Sequence, residues 1–232
     1  MKRPMMMLWK VGVAAFAGAL ALQTANAEVV FDNSSSDLLL NFNPGANEVG
    51  DEILLQGQAR YLSSFVFQYY GDAFSGDEMA RVRFYVNDGP PSSGAARPGT
   101  ILYDSGPFAI GATPRSTIVL DAVTLAAGNL WNPGQPVLVP DSFTWSVQFY
   151  NVTGSEEAGV TLYNPPTVGW DYNSYWDNDP MSGWLLKTNA WSIPMNFAAR
   201  VEAVPEPNAV VLGLGGALLV LLLRASIRRR NG

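Results

Sequence analysis

Three stretches of the chain alternate apolar and polar side chains with a period of two. In MARVRFYVN (79–87), Val82, Phe84 and Val86 alternate with Arg81, Arg83 and Tyr85. SFTWSVQFY (142–150) sets Phe143, Trp145, Val147 and Phe149 against Thr144, Ser146 and Gln148, and MNFAARVE (195–202) turns Met195, Phe197, Ala199 and Val201 to one side. Successive side chains of a strand face opposite ways, so each stretch predicts one buried and one wetted face. Further strands are predicted in VVFDN, DLLLNFN, DEILLQ, YLSSFVFQYY, TILYDS, STIVLDA, GVTLY and WLLKT, separated by clusters of Gly, Pro, Asn and Asp. About ten or eleven short strands at this spacing predict an all-β fold, an antiparallel β-sandwich of jelly-roll-like winding, over residues 28–203. No segment of that span carries a sustained helical period.

The two ends of the chain break the pattern. MKRPMMMLWK is a positive leader, VGVAAFAGALAL (11–22) an apolar stretch, and Ala25 and Ala27 give the spacing of small residues that signal peptidase needs. Residues 1–27 therefore read as a signal peptide, cut before Glu28. At the other end, Ala209 to Leu223 is uncharged. As a helix it spans about 22 Å, and about 28 Å if it continues to Ile227 with the Arg224 side chain reaching the headgroups, against a hydrocarbon core of about 30 Å. A single C-terminal transmembrane helix is predicted, with Arg224, Arg228, Arg229 and Arg230 as its cytoplasmic anchor. Before it, Val204-Pro205-Glu206-Pro207 should be stiff and extended, because each proline fixes its own φ and biases its predecessor towards extended backbone. Such a segment serves equally as a processing site or as a plain linker to a permanent anchor.

Charge sharpens this division. Residues 28–203 hold seven basic against nineteen acidic side chains, a net −12, whereas the remaining basic residues cluster near the chain ends. A domain this acidic repels phosphate backbones, so nucleic acid is not an expected partner. The chain has neither cysteine nor histidine. Thiol nucleophiles, disulfides, cysteine-ligated metals and the usual histidine base are thereby excluded.

The most unusual internal stretch is GWDYNSYWDNDPMSGW (169–184), read as a long loop. Trp170, Tyr172, Tyr175, Trp176 and Trp184 could stack on sugar rings, with the intervening carboxylates accepting hydroxyl hydrogen bonds; equally, they could fold down to cap an open end of the core. Asp171, Asp177 and Asp179, with Asn173 and Asn178, supply oxygens of the type calcium takes, although their spacing is not that of an EF-hand and such residues commonly form turns. No other cofactor is expected. The close carboxylates of GDAFSGDEM (71–79) and SEE (155–157) could serve glycoside hydrolysis only if the fold set them at the required separation. The chain is not expected to be an enzyme.

Taken together, Val204-Pro205-Glu206-Pro207, the uncharged Gly/Leu-rich segment and the terminal arginines resemble the PEP-CTERM sorting signal (204–232) of exported proteins in Gram-negative bacteria that make exopolysaccharide. Asn208 stands where many members carry Ser or Thr. The resemblance implies recognition by an exosortase, a multi-pass membrane transpeptidase-like enzyme, and removal of the helix near Pro205-Glu206-Pro207. It implies an inner-membrane intermediate with its domain in the periplasm, then delivery to the cell surface or extracellular matrix. FYVNDGPPSSGAARPGTILYDSG (84–106) is also similar to a segment of exported bacterial sandwich modules. The expected function is that of a non-catalytic envelope or matrix protein, with a carbohydrate-binding module for exopolysaccharide, acting through 169–184, as the alternative.

Overall fold

Turn residues cut the span 28–203 into short strands, and the computed structural model describes residues 26–189 and 193–206. The first half holds β1 (Glu28–Asn33), β2 (Asp37–Phe42), β3 (Glu48–Leu54), β4 (Tyr61–Asp72), β5 (Met79–Val86), β6 (Gly89–Ser92), β7 (Ala95–Arg97), β8 (Ile101–Asp104) and β9 (Phe108–Ala109). The second half holds β10 (Thr113–Asp121), helix α1 (Ala122–Ala127), β11 (Ser142–Tyr150), β12 (Glu157–Tyr163), β13 (Trp170–Asp171), β14 (Ser174–Asp179), β15 (Gly183–Thr188) and β16 (Ala199–Val204).

All strand pairings are antiparallel. One sheet runs β1-β16-β4-β12-β2, with β10 also on β4; the other runs β15-β14-β3-β11-β5-β8, with β13 on β3 and β9 on β5. β6 and β7 form a separate ribbon, against which β15 packs. The result is an all-β sandwich whose core fills with the inward residues of both sheets. Trp145 of β11 meets Phe65 and Phe67 of β4 across the layers, with ring centroids 5.1 and 5.7 Å apart. Inward alternation in β4 is kept past Ser63 by a bulge: Ser64 pairs with Glu202 and Leu62 with Ala203, so Leu62 and Phe65 both reach the core.

Each of the eleven predicted strands overlaps an observed one, but four local readings change. Residues 169–184 are not a loop, because β13, β14 and the start of β15 pair there. Tyr85, Thr144 and Ser146 are buried rather than wetted, since the outward face of β5 and β11 carries a hydrogen-bonded polar layer. Val204 belongs to the domain as the last residue of β16, paired with Tyr61. Finally, the six residues of α1 form one helical turn and a half, too short to show a period. Asp121 caps it, accepting from the Thr124 N–H at 2.9 Å and the Thr124 hydroxyl at 2.8 Å, and Leu125 is buried beneath.

Candidate functional site

Strand pairing stops at Val204, and the next two residues, Pro205 and Glu206, are exposed. Proline has no N–H to donate to a ladder, so Pro205 ends the strand. β1 lies beside β16 with Glu28 opposite Ala203, so the two ends of the domain emerge next to each other. Pro207, Arg224, Arg228, Arg229 and Arg230 lie outside the described residues, as do residues 1–25. Among the described residues no helix is long and apolar enough to cross a membrane.

The aromatic stretch 169–184 is split by its strands. Gly169 begins it at φ +76°, a backbone that favours glycine, and a side chain there would meet the Leu54 carbonyl at 2.6 Å. That close approach lets β13 join β3, with Trp170 opposite Leu54 and Asp171 opposite Ile53. Trp170 and Tyr172 are 62% and 45% exposed, while Asp171 between them is buried. The other three aromatics do not join a platform. Trp176 is fully buried opposite Gly50, so it is closed to any ligand. Tyr175 packs edge-on against Phe42 at 4.9 Å, and Trp184 against Tyr85 at 5.4 Å.

The three predicted calcium carboxylates are likewise dispersed. Asp177 accepts from Asn47 at 2.9 Å and pairs with Lys187. Asp179 holds the turn into β15, accepting from the N–H groups of Met181 and Ser182, both at 2.9 Å. Asp171 has a different set of partners from either.

Asp171 joins a buried polar cluster that the sequence did not announce. Asp51 from β3, Asn33 from β1, Asn164 after β12 and Asn196 before β16 surround the backbone of Phe197 and the side chain of Asp171. Asn33 Nδ2 donates to the Tyr163 carbonyl at 2.9 Å, and to Asp171 Oδ2 and the Phe197 carbonyl at 3.3 Å each. Asn196 Nδ2 donates to Asp171 Oδ1 at 2.6 Å and Asn164 Oδ1 at 2.9 Å. Asp51 Oδ2 accepts the Phe197 N–H at 2.9 Å. Burial, then the Asp171 charge, pushes the Asp51 carboxyl well above the usual carboxylate range, and burial pushes Asp171 up to about 7. The one signal in the sequence was alternation: in DEILLQ an inward Ile53 places Asp51 inward as well.

A second polar layer lies on the outward face of the same sheet. Glu48 Oε1 accepts from the hydroxyls of Tyr85 at 2.8 Å and Ser146 at 2.6 Å. Its Oε2 meets Arg83 at 2.7 Å and Asn178 at 3.2 Å. Burial opposes the charge on Arg83, but Glu48 outweighs it and holds the guanidinium above its ordinary value. The remaining close carboxylates shape turns. Glu78 accepts from the N–H groups of Ser75 and Gly76 at 2.6 and 2.9 Å, and Glu156 from that of Thr153 at 2.7 Å. A groove of about 390 Å³ on the first sheet runs past Gln68, Thr117 and Arg200. Compared with protein-family models, curated proteins and solved structures, the chain has no match.

Proposed function

We propose that this chain is an exported, non-catalytic envelope or extracellular-matrix protein, a β-sandwich of jelly-roll-like winding sorted by an exosortase through its C-terminal signal. The observation that carries this reading is the position of the sorting motif. Pro205 directly follows the last paired residue of the domain, and Glu206 is exposed, so a processing enzyme's groove has extended chain available as soon as the fold ends. The neighbouring exits at Glu28 and Ala203 suit a domain attached at one pole by either end. A signal peptide over 1–27 and a membrane helix after Pro207 complete the topology, with signal peptidase, the exosortase and the inner membrane as partners. The C-terminus of the protein recovered from the envelope and medium of its host tests this reading.

The exposure of Trp170 and Tyr172, side by side on the outer surface, favours one further role for the domain: a small contact for exopolysaccharide. The double substitution Trp170→Ala and Tyr172→Ala is expected to leave the melting temperature within a few degrees, as surface substitutions do, and to lower retention on native polysaccharide in a pull-down. Equal retention of the variant and the parent would remove the saccharide role and leave the sorting reading untouched.

A further inference from the structure

One surface segment of this acidic domain is free of charge. From Ala122 to Pro140 the chain has no charged side chain, although residues 28–203 carry a net −12. Within it Val123, Leu130, Trp131 and Leu138 are 77%, 53%, 65% and 46% exposed. The loop that presents them is built around Asn129, itself buried, which donates to the carbonyls of Gln135 and Pro136 at 3.0 Å each and accepts the N–H groups of Trp131 and Asn132 at 3.0 and 3.1 Å. The Gly134 N–H donates to the Ala126 carbonyl at 2.8 Å and ties the loop to α1. The indole N–H of Trp131 donates to the Ile101 carbonyl at 3.0 Å, so the exposed part of that side chain is apolar ring. Water can leave it without stranding a polar group. Exposed apolar side chains gathered on a compact loop mark an interaction surface.

We infer that this loop is a membrane-contact surface that seats Leu130, Trp131 and Leu138 in the headgroup region of an electrically neutral lipid bilayer, an inference that rests on the proposed anchoring of the chain by its C-terminal segment. Position is the first reason to assign lipid as the occupant. Tyr61 pairs with Val204 on one side and bridges to Leu138 on the other, so Leu138 lies two strand spacings, about 10 Å, from the end of β16. Four residues then separate Val204 from the uncharged run that begins at Ala209, a path of at most about 18 Å. With Ala209 in the bilayer, the loop is within reach of the headgroups. Charge is the second reason. Tryptophan is favoured at the membrane–water interface, and this segment brings no carboxylate there, whereas the acidic excess of the rest of the domain is repelled by anionic lipid.

The contact would hold Pro205-Glu206-Pro207 close to the membrane surface, in front of a processing enzyme embedded in the same bilayer. Even a single buried acyl chain binds a bilayer only marginally and reversibly, so a few side chains would let the domain leave once its tail is cut.

The test uses the full chain, purified in detergent and reconstituted into vesicles of phosphatidylcholine brominated on the acyl chains near the headgroup. Bromine quenches tryptophan on contact, so the fluorescence is expected to fall relative to vesicles of unbrominated lipid. Trp131→Phe should lose a large part of that quenching, Leu130→Asp should weaken it, and Trp184→Phe in β15 should leave it unchanged, each variant melting in detergent close to the parent. An alkaline carbonate wash of the vesicles reports the anchoring separately. Equal quenching of the parent and Trp131→Phe, in protein retained through the wash, would overturn the contact surface and leave the anchoring standing. Protein removed by the wash would overturn the anchoring and the surface with it. Absence of quenching in a protein that sediments as a dimer in detergent would overturn the lipid assignment and give the loop to a second copy of the chain.

Discussion

Replacing Glu48 with alanine is expected to lower the unfolding free energy by about 3–5 kcal/mol, the range for removing one partner of a buried ion pair. Glu48 and Arg83 have side chains only 5% and 12% exposed, so solvent cannot substitute for the lost carboxylate. The same carboxylate also receives the Tyr85 and Ser146 hydroxyls and the Asn178 amide, joining β3, β5, β11 and β14 on one face. After truncation Arg83 loses its nearest carboxylate and keeps the 3.3 Å contact with Asp104, and Tyr85 loses its acceptor. Urea unfolding followed by tryptophan fluorescence would measure the change. Pairing Glu48→Ala with Arg83→Met should recover part of the loss, because it removes the stranded charge. A single-variant loss below about 1 kcal/mol, the scale of an exposed pair, would mean that water reaches the layer.

Trp145→Ala is expected to cost a similar amount, about 3–5 kcal/mol, for a different reason: a large cavity at the centre of the sandwich. Trp145 is fully buried on a central strand and makes ring contacts with Phe65, Phe67 and Phe197 at 5.1, 5.7 and 5.8 Å. Phe65 continues the chain of rings to Phe84 at 4.8 Å, and Phe84 to Tyr103 at 4.7 Å. These contacts bridge the two sheets, so the loss should appear as a lower urea midpoint with one cooperative transition. Trp145→Phe should cost much less, since it keeps an aromatic ring and removes an indole N–H that has no acceptor among the described residues. Equal losses in the two variants would place the energetic role in the indole rather than in the filled volume.

Alternation made most of the sandwich legible, because its strands bury one face and wet the other. It failed where both faces are covered. Thr144 and Ser146 look like solvent-facing residues in the sequence, yet both are buried, Thr144 donating to Asn87 and Ser146 to Glu48. β14 was hidden by its composition: SYWDND reads as turn chemistry, and only pairing with β3 on one side and β15 on the other makes it a strand. The acidic stretch offered Asp171, Asp177 and Asp179 together as candidate calcium ligands. Strand geometry separates them, turning Asp171 inward, towards residues up to 138 positions away. Asn33, Asn164 and Asn196 carry no local sign of a shared role, since asparagine between strands ordinarily marks a turn. The motif proposed for sorting is read from the sequence alone, where its parts are contiguous.

The fate of that motif is read directly from the C-terminal peptide of the mature protein. The protein would be purified from the envelope and culture medium of its host and its terminal peptide sequenced by mass spectrometry. Sorting by an exosortase predicts a new C-terminus near Pro205-Glu206-Pro207, and its loss when the host's exosortase is deleted. An intact Arg228-Arg229-Arg230 terminus in all of the recovered protein would contradict it and leave a domain permanently anchored by its tail.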